Sequence, residues 1–519
     1  MNRRKFLHST LHGAALGTLA SSMGMAAPAR KHLARLMKMA EETDRVLILI
    51  FLDGGNDGLN TVVPMDQMSQ LANARPRVLL PENSLHLLEG TDVGLHPSLS
   101  GFKSLYDEGR LKIIQNVGYE NPNFSHFRST DIWMSGSDSD EYVNTGWMGR
   151  YLQNQFPEYP EAFPNDDMPD PLAVEIGFGA SLLFQGPTAA MSMVVSGPDS
   201  FHELIDNIEQ DAPDTNAGDK LRFVRLIARQ SQQYGEVVAA AAEKANNAVE
   251  YPQNGLANQL QIISRLIAGG LKTPMYMVRI GGFDTHDAQV VAGDTTRGEH
   301  ADLLQDLNDA VMAFMQDAEA LGTADRIMGM TFSEFGRTIM SNASNGTDHG
   351  TAGPMFVFGN TVAGGVAGNN PVIPEDVVYE DDLEMQYDYR QVYQSVLTQW
   401  LGMSSEGAEE VLLDSFNPLT IVEGQDQVTG FGDFGMQRNS LSVYPNPLNG
   451  SATVRFESYG EPVRVELIDM QGRQVQPIYS GTLPSGQQSL RWDTHQVPRG
   501  QYLVVVRTQA YQQAFRVRK

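Results

Sequence analysis

Residues 45–52 read Arg-Val-Leu-Ile-Leu-Ile-Phe-Leu, an unbroken apolar run that stops abruptly at Asp53-Gly54-Gly55. A strand with one wet face would alternate, so apolar residues at every position predict a strand buried on both faces. Such a strand needs helices above and below it and similar strands beside it. Leu111 to Val117, Leu172 to Ile176, Met275 to Ile280, Arg326 to Phe332 and Met355 to Phe358 repeat the pattern. Between them, Asp219 to Asn247, Ala257 to Ala268, Glu299 to Leu321 and Tyr387 to Leu401 carry apolar residues at helical spacing. The alternation predicts an α/β domain, a mostly parallel sheet covered by helices. Ser135 to Tyr142 and Pro157 to Pro171 are acidic and rich in breakers, and are expected as surface loops near the mouth of a site.

The rhythm changes after Ser440. Short stretches at 451–457, 463–468, 488–492 and 502–507 alternate with period two between Gly and Pro turns, the pattern of a small all-β sandwich. Charge shifts at the same place: residues 440–519 hold nine Lys/Arg and five Asp/Glu, a balance of +4, which leaves −30 of the total −26 on residues 1–439. At 519 residues the chain exceeds one ordinary core. The expected order is an export signal over 1–29, an α/β domain over 45–423, a linker over 424–439 and a sandwich over 440–519. The signal is read from Arg3-Arg4-Lys5, the apolar stretch Leu11 to Ala20 and the cleavage tripeptide Ala27-Pro28-Ala29. No segment is apolar for long enough to predict a membrane span.

A net charge of −26 repels phosphate backbones, which argues against nucleic acid as a partner and favours a divalent cation as a guest. The chain has no cysteine, so disulfides, thiolate metal ligands and a cysteine nucleophile are all excluded.

Polar clusters follow several of the apolar runs. Asp53 and Asp57 bracket a Gly-rich loop; Ser125 and His126 lie in Asn-Phe-Ser-His-Phe; Asp284 and His286 alternate through Thr285; Glu334 precedes Phe335-Gly336-Arg337; and Asp348 and His349 sit between Gly346 and Gly350. In an extended segment Asp284 and His286 face one way. Open α/β sheets bind ligands beyond the carboxyl ends of their strands, and carboxylates, imidazoles and a hydroxyl gathered there make a metal-assisted hydrolytic site. Donors of this kind suit Zn²⁺, Mn²⁺, Ca²⁺ or Mg²⁺. Each residue also has a structural reading: Asp57 as a turn residue, Ser125 as a helix cap, His126 as a packed imidazole, and Glu334 as an ion-pair partner of Arg337. His96 and His202 read as incidental, with His300 a reserve ligand.

Tyr444-Pro445-Asn446-Pro447, the turn at 469–473 and the closing Gly500 to Val505 resemble the C-terminal sorting domain of type IX secretion cargo. The resemblance covers about the last 80 residues. It implies passage through the outer membrane, with the secretion machinery as a partner through residues 440–519. A sugar-binding sandwich is the alternative.

In the body, Gly54-Gly55-Asn56-Asp57-Gly58, Leu95-His96-Pro97, 123–128, 146–150, 282–286, 333–337 and 347–350 occur in an order that resembles the domain of unknown function 1501 family, from Arg45 to Leu419. That family is grouped with the alkaline phosphatase and sulfatase superfamily, so the resemblance implies an alkaline-phosphatase-like fold and a set of roles. Metal would be held by Asp57, with Asp53 competing, then by Asp284 with His286, by Glu334, and by Asp348 with His349. Ser125 would attack the ester and His126 orient it. Two departures stand out: Glu334-Phe335 replaces an Asp-His or Asp-Asn step, and 125–128 lacks the pattern needed to form formylglycine. The implied function is a secreted, metal-dependent hydrolase of phosphate or sulfate esters, its substrate a small ester or an extracellular polymer. The alternative is a noncatalytic cell-surface binding protein that keeps the fold.

Overall fold

Val46–Asp53 is the strand its apolar run predicts, and its side chains alternate between two cores. Val46, Ile48, Ile50 and Leu52 join one hydrophobic cluster; Leu47, Leu49 and Phe51 join another. Each side chain is at most 2% exposed, so the strand carries no wet face. A fully buried aliphatic side chain contributes about 1.5–3 kcal/mol, so each of these residues stabilises the domain.

In this computed structural model the described residues are 44–177, 179–195, 216–379, 381–423, 442–460, 462–469, 473–507 and 512–519. The expected leader at 1–29, the linker at 424–439, most of the turn at 469–473 and His202 lie outside them. The chain separates into two compact units, residues 1–427 and 428–519. No helix among the described residues is long and apolar enough to cross a membrane.

In the first unit the sheet runs, edge to edge, through Gly365–Ala367, Leu111–Gly118, Gly353–Phe358, Ile327–Phe332, Val46–Asp53, Met275–Gly281, Ala173–Ile176 and Ser192–Val195, with Tyr387–Asp388 also pairing Leu111–Gly118. Val46–Asp53 is parallel to both neighbours. Gly353–Phe358 is antiparallel to both of its own. The sheet is therefore mostly parallel, as expected, with one reversed strand that the apolar pattern does not distinguish. That reversal places the start of Gly353–Phe358 at the edge where the parallel strands end.

Helices cover both faces. Gly255–Ala268 and Glu299–Ala320 supply Leu260, Ile263, Leu304, Leu307 and Phe314 to the first cluster. Trp133, Trp147, Tyr389, Tyr393 and Trp400 from the helical segments His126–Ser135, Trp147–Gln155, Tyr389–Ser395 and Val396–Trp400 fill the second. The last of these predicted helices, 387–401, ends in a π turn. The segment 157–171 departs from expectation. Asp170 accepts from the Lys272 amide (2.6 Å) and the Pro171 carbonyl from Thr273 (2.7 Å), just before the Met275–Gly281 strand begins. It thus reaches the amino edge of the sheet, opposite the site mouth, because the buried Asp170 finds its donors there.

The second unit holds a three-stranded sheet of Ser442–Asn449, Ser451–Tyr459 and Ser485–Asp493, and a four-stranded sheet of Gln474–Thr482, Pro462–Asp469, Gln501–Arg507 and Gln512–Arg518. All pairings are antiparallel. Val443, Val454, Phe456, Val465, Leu467, Val504, Val506 and Val517 from both sheets share one core.

Candidate metal centre

Three parallel strands end side by side at the carboxyl edge, and each hands over to a polar loop. Val46–Asp53 leads to Gly54 and Gly55, Met275–Gly281 to Phe283-Asp284-Thr285-His286, and Ile327–Phe332 to Ser333-Glu334. His349 arrives by another route: His349–Gly350 pairs with Gly336–Arg337 in a short ribbon, just ahead of the reversed strand. His126 opens the helix His126–Ser135, which follows Leu111–Gly118. The loops approach closely at Gly54, whose φ of +124° belongs to glycine, and where an added Cβ would lie 2.3 Å from the Asp284 nitrogen.

Three imidazoles converge on the Asp284 carboxylate. His126 Nε2 lies 3.4 Å from Oδ2; His286 Nε2 and His349 Nε2 lie 3.1 and 3.2 Å from Oδ1. Donor atoms of His126, Asp284 and His349 all fall within 4.8 Å of one another. The far side of each ring is committed. His126 Nδ1 is 2.8 Å from Glu334 Oε1, His286 Nδ1 is 2.8 Å from Asp348 Oδ1, and His349 Nδ1 is 2.8 Å from the Phe124 carbonyl oxygen. These oxygens accept, so each ring donates from Nδ1 and turns an Nε2 lone pair inward. Orientation of this kind, with a carboxylate or carbonyl behind each ring, is how proteins aim imidazoles at a metal.

The lone pairs oppose one another. His286 Nε2 and His349 Nε2 are 2.9 Å apart, with Asp284 Oδ1 beside both. Arg337 already donates to that Oδ1 at 2.6 Å, and the two facing nitrogens need a proton or a cation beside them as well. Ligands about 2.1 Å from a tetrahedral ion stand roughly 3.4 Å apart, so the His126, Asp284 and His349 donors fit a divalent ion, with His286 adjacent.

The carboxyls differ in state. Burial pushes Glu334 up, although His126 and the Gly54 amide donate to it. Burial also acts upward on Asp284, but the hydrogen bond and charge of Arg337 overcome it and hold the carboxyl below its usual range. For Asp348, the hydrogen bonds of His286 and Asn342 outweigh burial and keep it low. Burial lowers His349, which favours the neutral, ligating form.

The sequence candidates divide into three groups. His126, Asp284, His286 and His349 meet with donor atoms facing. Glu334 and Asp348 stand one layer back: Glu334 accepts from the amides of Gly54 (2.9 Å) and Gly55 (3.2 Å) as well as from His126. Asp57 and Asp53 are elsewhere. Asp57 is wholly buried, ion-paired with an equally buried Arg75, and accepts from Gln289 Nε2 at 2.5 Å. Asp53 pairs with Arg279. Ser125 is exposed at the N-cap of His126–Ser135 and its hydroxyl makes no capping bond, unlike the structural role the sequence allows it. His300, the reserve ligand, is buried against Asn56 Oδ1 at 3.0 Å.

Sequence reasoning missed Arg75 and Tyr379, and named Arg337 only in the structural reading of Glu334. Arg337, the partner that the structural reading of Glu334 offered, instead donates to Asp284 Oδ1 at 2.6 Å. Tyr379 donates to Asp348 Oδ2 at 3.3 Å and carries no sequence signal.

Among curated proteins nothing matches this chain. Solved structures with some likeness include a protein in the alkaline phosphatase superfamily from Vibrio parahaemolyticus, 9% identical over 87% of this chain and 83% of that one, TM-score 0.32. A second is the PsFucS1 sulfatase from Pseudoalteromonas sp., 10% identical over 91% and 88%, TM-score 0.35. A third is the phosphonate monoester hydrolase SpPMH from Silicibacter pomeroyi, 8% identical over 92% and 89%, TM-score 0.34. Residues 442–517 match the secretion system C-terminal sorting domain, which marks the chain for export to the cell surface or beyond. Residues 44–414, most of the chain, match the family described as protein of unknown function (DUF1501), and the chain belongs to that family.

Proposed function

We propose that the α/β unit is a metal-dependent hydrolase of phosphate or sulfate esters, acting outside the cell on a small ester or an extracellular polymer. The observation that carries this reading is the convergence of three imidazole Nε2 atoms on Asp284, each ring held from behind by Glu334, Asp348 or the Phe124 carbonyl. His126, Asp284 and His349 would hold the ion, with His286 completing the set. A divalent ion there supplies Lewis acidity toward the ester oxygens. The nitrogen-rich donor set favours Zn²⁺ or Mn²⁺ over Ca²⁺ or Mg²⁺.

Ser125 is the proposed nucleophile. Its hydroxyl is not spent on capping, it adjoins the ligand His126, and the Phe124 carbonyl before it anchors His349. A noncatalytic binding protein is the second reading, and the withdrawal of Asp57 into the core favours it, since that leaves one fewer acid at the edge. Elemental analysis with a panel of phosphatase and sulfatase substrates separates the two. Bound metal in the wild type, lost in Asp284→Ala and His349→Ala, and turnover lost by at least about 10³-fold in Ser125→Ala support the hydrolase. Metal without turnover of any ester leaves the binding protein; a metal-free wild type removes the centre altogether.

For delivery, the twin-arginine leader would carry the folded chain to the periplasm, and residues 440–519 would engage the type IX machinery. A chain lacking 440–519 is expected to stay inside the outer membrane with its hydrolytic activity intact. Normal surface display of that truncation would refute the sorting role.

A further inference from the structure

We infer that the centre is built for one cation, with the Arg337 guanidinium standing where a second would share Asp284, and that Arg337 is a positioning residue for that carboxylate. The inference deepens the metal-dependent reading above and rests on it. The Arg337 side chain has no exposed surface, yet every nitrogen of its fork is used. Nε donates to the Gly55 carbonyl at 2.7 Å and Nη1 to the Thr347 carbonyl at 3.0 Å. Nη2 donates to the carbonyl oxygens of Gly54 and Phe283 and to Asp284 Oδ1 at 2.6 Å. One side chain thus ties together the loops after two strands and the loop that brings His349.

Two consequences follow from that geometry. Asp284 Oδ1, beside His286 and His349, already carries a permanent positive charge, and Oδ2, facing His126, is the carboxylate oxygen that Arg337 leaves open to an ion. A second divalent ion on Oδ1 would meet the guanidinium at close range and be repelled. The other acids at this edge are committed, Glu334 to His126 and the amides of Gly54 and Gly55, and Asp348 to His286, Asn342 and Tyr379, while Asp57, paired through Oδ2 with Arg75 and Gln289, and Asp53, paired with Arg279, stand away from the imidazoles. No second ligand set is assembled from them.

The test is zinc titration of the full chain after chelation, with stoichiometry read by native mass spectrometry and affinity by competition with a chromophoric chelator. Wild type is expected to take one tightly bound zinc. R337K is expected to bind it about 10- to 100-fold more weakly, beyond what any fall in melting temperature accounts for, and R337M more weakly still. Two tight zinc ions per wild-type chain would overturn this inference while leaving the hydrolase reading intact. An R337K chain with wild-type affinity would overturn the positioning role. A wild type that binds no zinc fails both readings together. The wild-type stoichiometry decides the one-cation claim even where a variant does not fold.

Discussion

The Nε2 atoms of His286 and His349 face each other at 2.9 Å although both rings donate from Nδ1, the first to Asp348 and the second to the Phe124 carbonyl. Two inward lone pairs at that distance store repulsion that only a positive charge relieves. If the charge is a cation, removing it with a chelator lowers the melting temperature and zinc at 100 times its Kd restores about 2.7 kcal/mol. Scanning fluorimetry with and without zinc checks this. An unchanged melt means that a proton holds the rings together.

Glu334 accepts from His126 Nδ1 at 2.8 Å. Glu334→Gln keeps an acceptor for the ring but removes the charge behind it, so zinc affinity is expected to fall about 10- to 100-fold with little change in fold. Equilibrium zinc competition on the variant is the measurement, and wild-type affinity would count against the orienting role.

Arg75 and Asp57 form a buried pair with no exposed side-chain surface on either partner. Arg75→Met strands the carboxylate and is expected to cost about 3–5 kcal/mol in urea unfolding. Zinc stoichiometry of the folded fraction should be unchanged, because the pair makes no contact with the imidazole cluster. Loss of metal at full stability would return Asp57 to the ligand set.

Burial holds His300 down at about 4, with the charge of Asp57 opposing and those of Arg75 and Arg337 assisting. His96 is lowered to about 3, again chiefly by burial. An imidazole whose folded pKa lies below its unfolded value contributes fully above pH 6.5, and that contribution is lost as pH falls toward the folded value. For His300 the loss is roughly 3 kcal/mol between pH 6.5 and 4. Asp57 is also depressed, burial being outweighed by Arg75 and its hydrogen bonds, but its share is lost only below the ordinary carboxylate range. Urea midpoints at pH 7 and 4.5, with chelator present, should therefore differ in wild type and differ less in His300→Gln. Equal wild-type midpoints would defeat the argument.

Gly54→Ala asks a left-handed residue to carry a Cβ into the Asp284 amide. Strain of this kind costs about 1–3 kcal/mol. The Asp284 loop must also shift, so weaker zinc binding is expected alongside the lower stability. A variant that binds zinc as wild type does would show that the loop tolerates the displacement.

Much of the architecture was legible because periodicity is local. The run at 46–53 has no polar position to expose, so burial on both faces follows from composition alone, and the period-two stretches after Ser440 specify antiparallel strands in the same way. The direction of Gly353–Phe358 was not legible, since an apolar run reads the same whichever way it is laid in a sheet. Asp284, His286 and His349 lie in polar clusters to which the family resemblance gave metal-holding roles, and the structure brings their donor atoms together with that of His126.

Chemistry at strand ends is thus written into the order of residues: acids and imidazoles after apolar runs, with glycines where loops must approach. Which acid stands with the imidazoles was settled in three dimensions, by cationic side chains distant along the chain. Asp57 is withdrawn by Arg75, Asp53 is covered by Arg279, and Asp284 is held in place by Arg337. A carboxylate's role depends on the nearest positive charge and on its access to water, and both are properties of packed side chains that no local stretch of sequence contains.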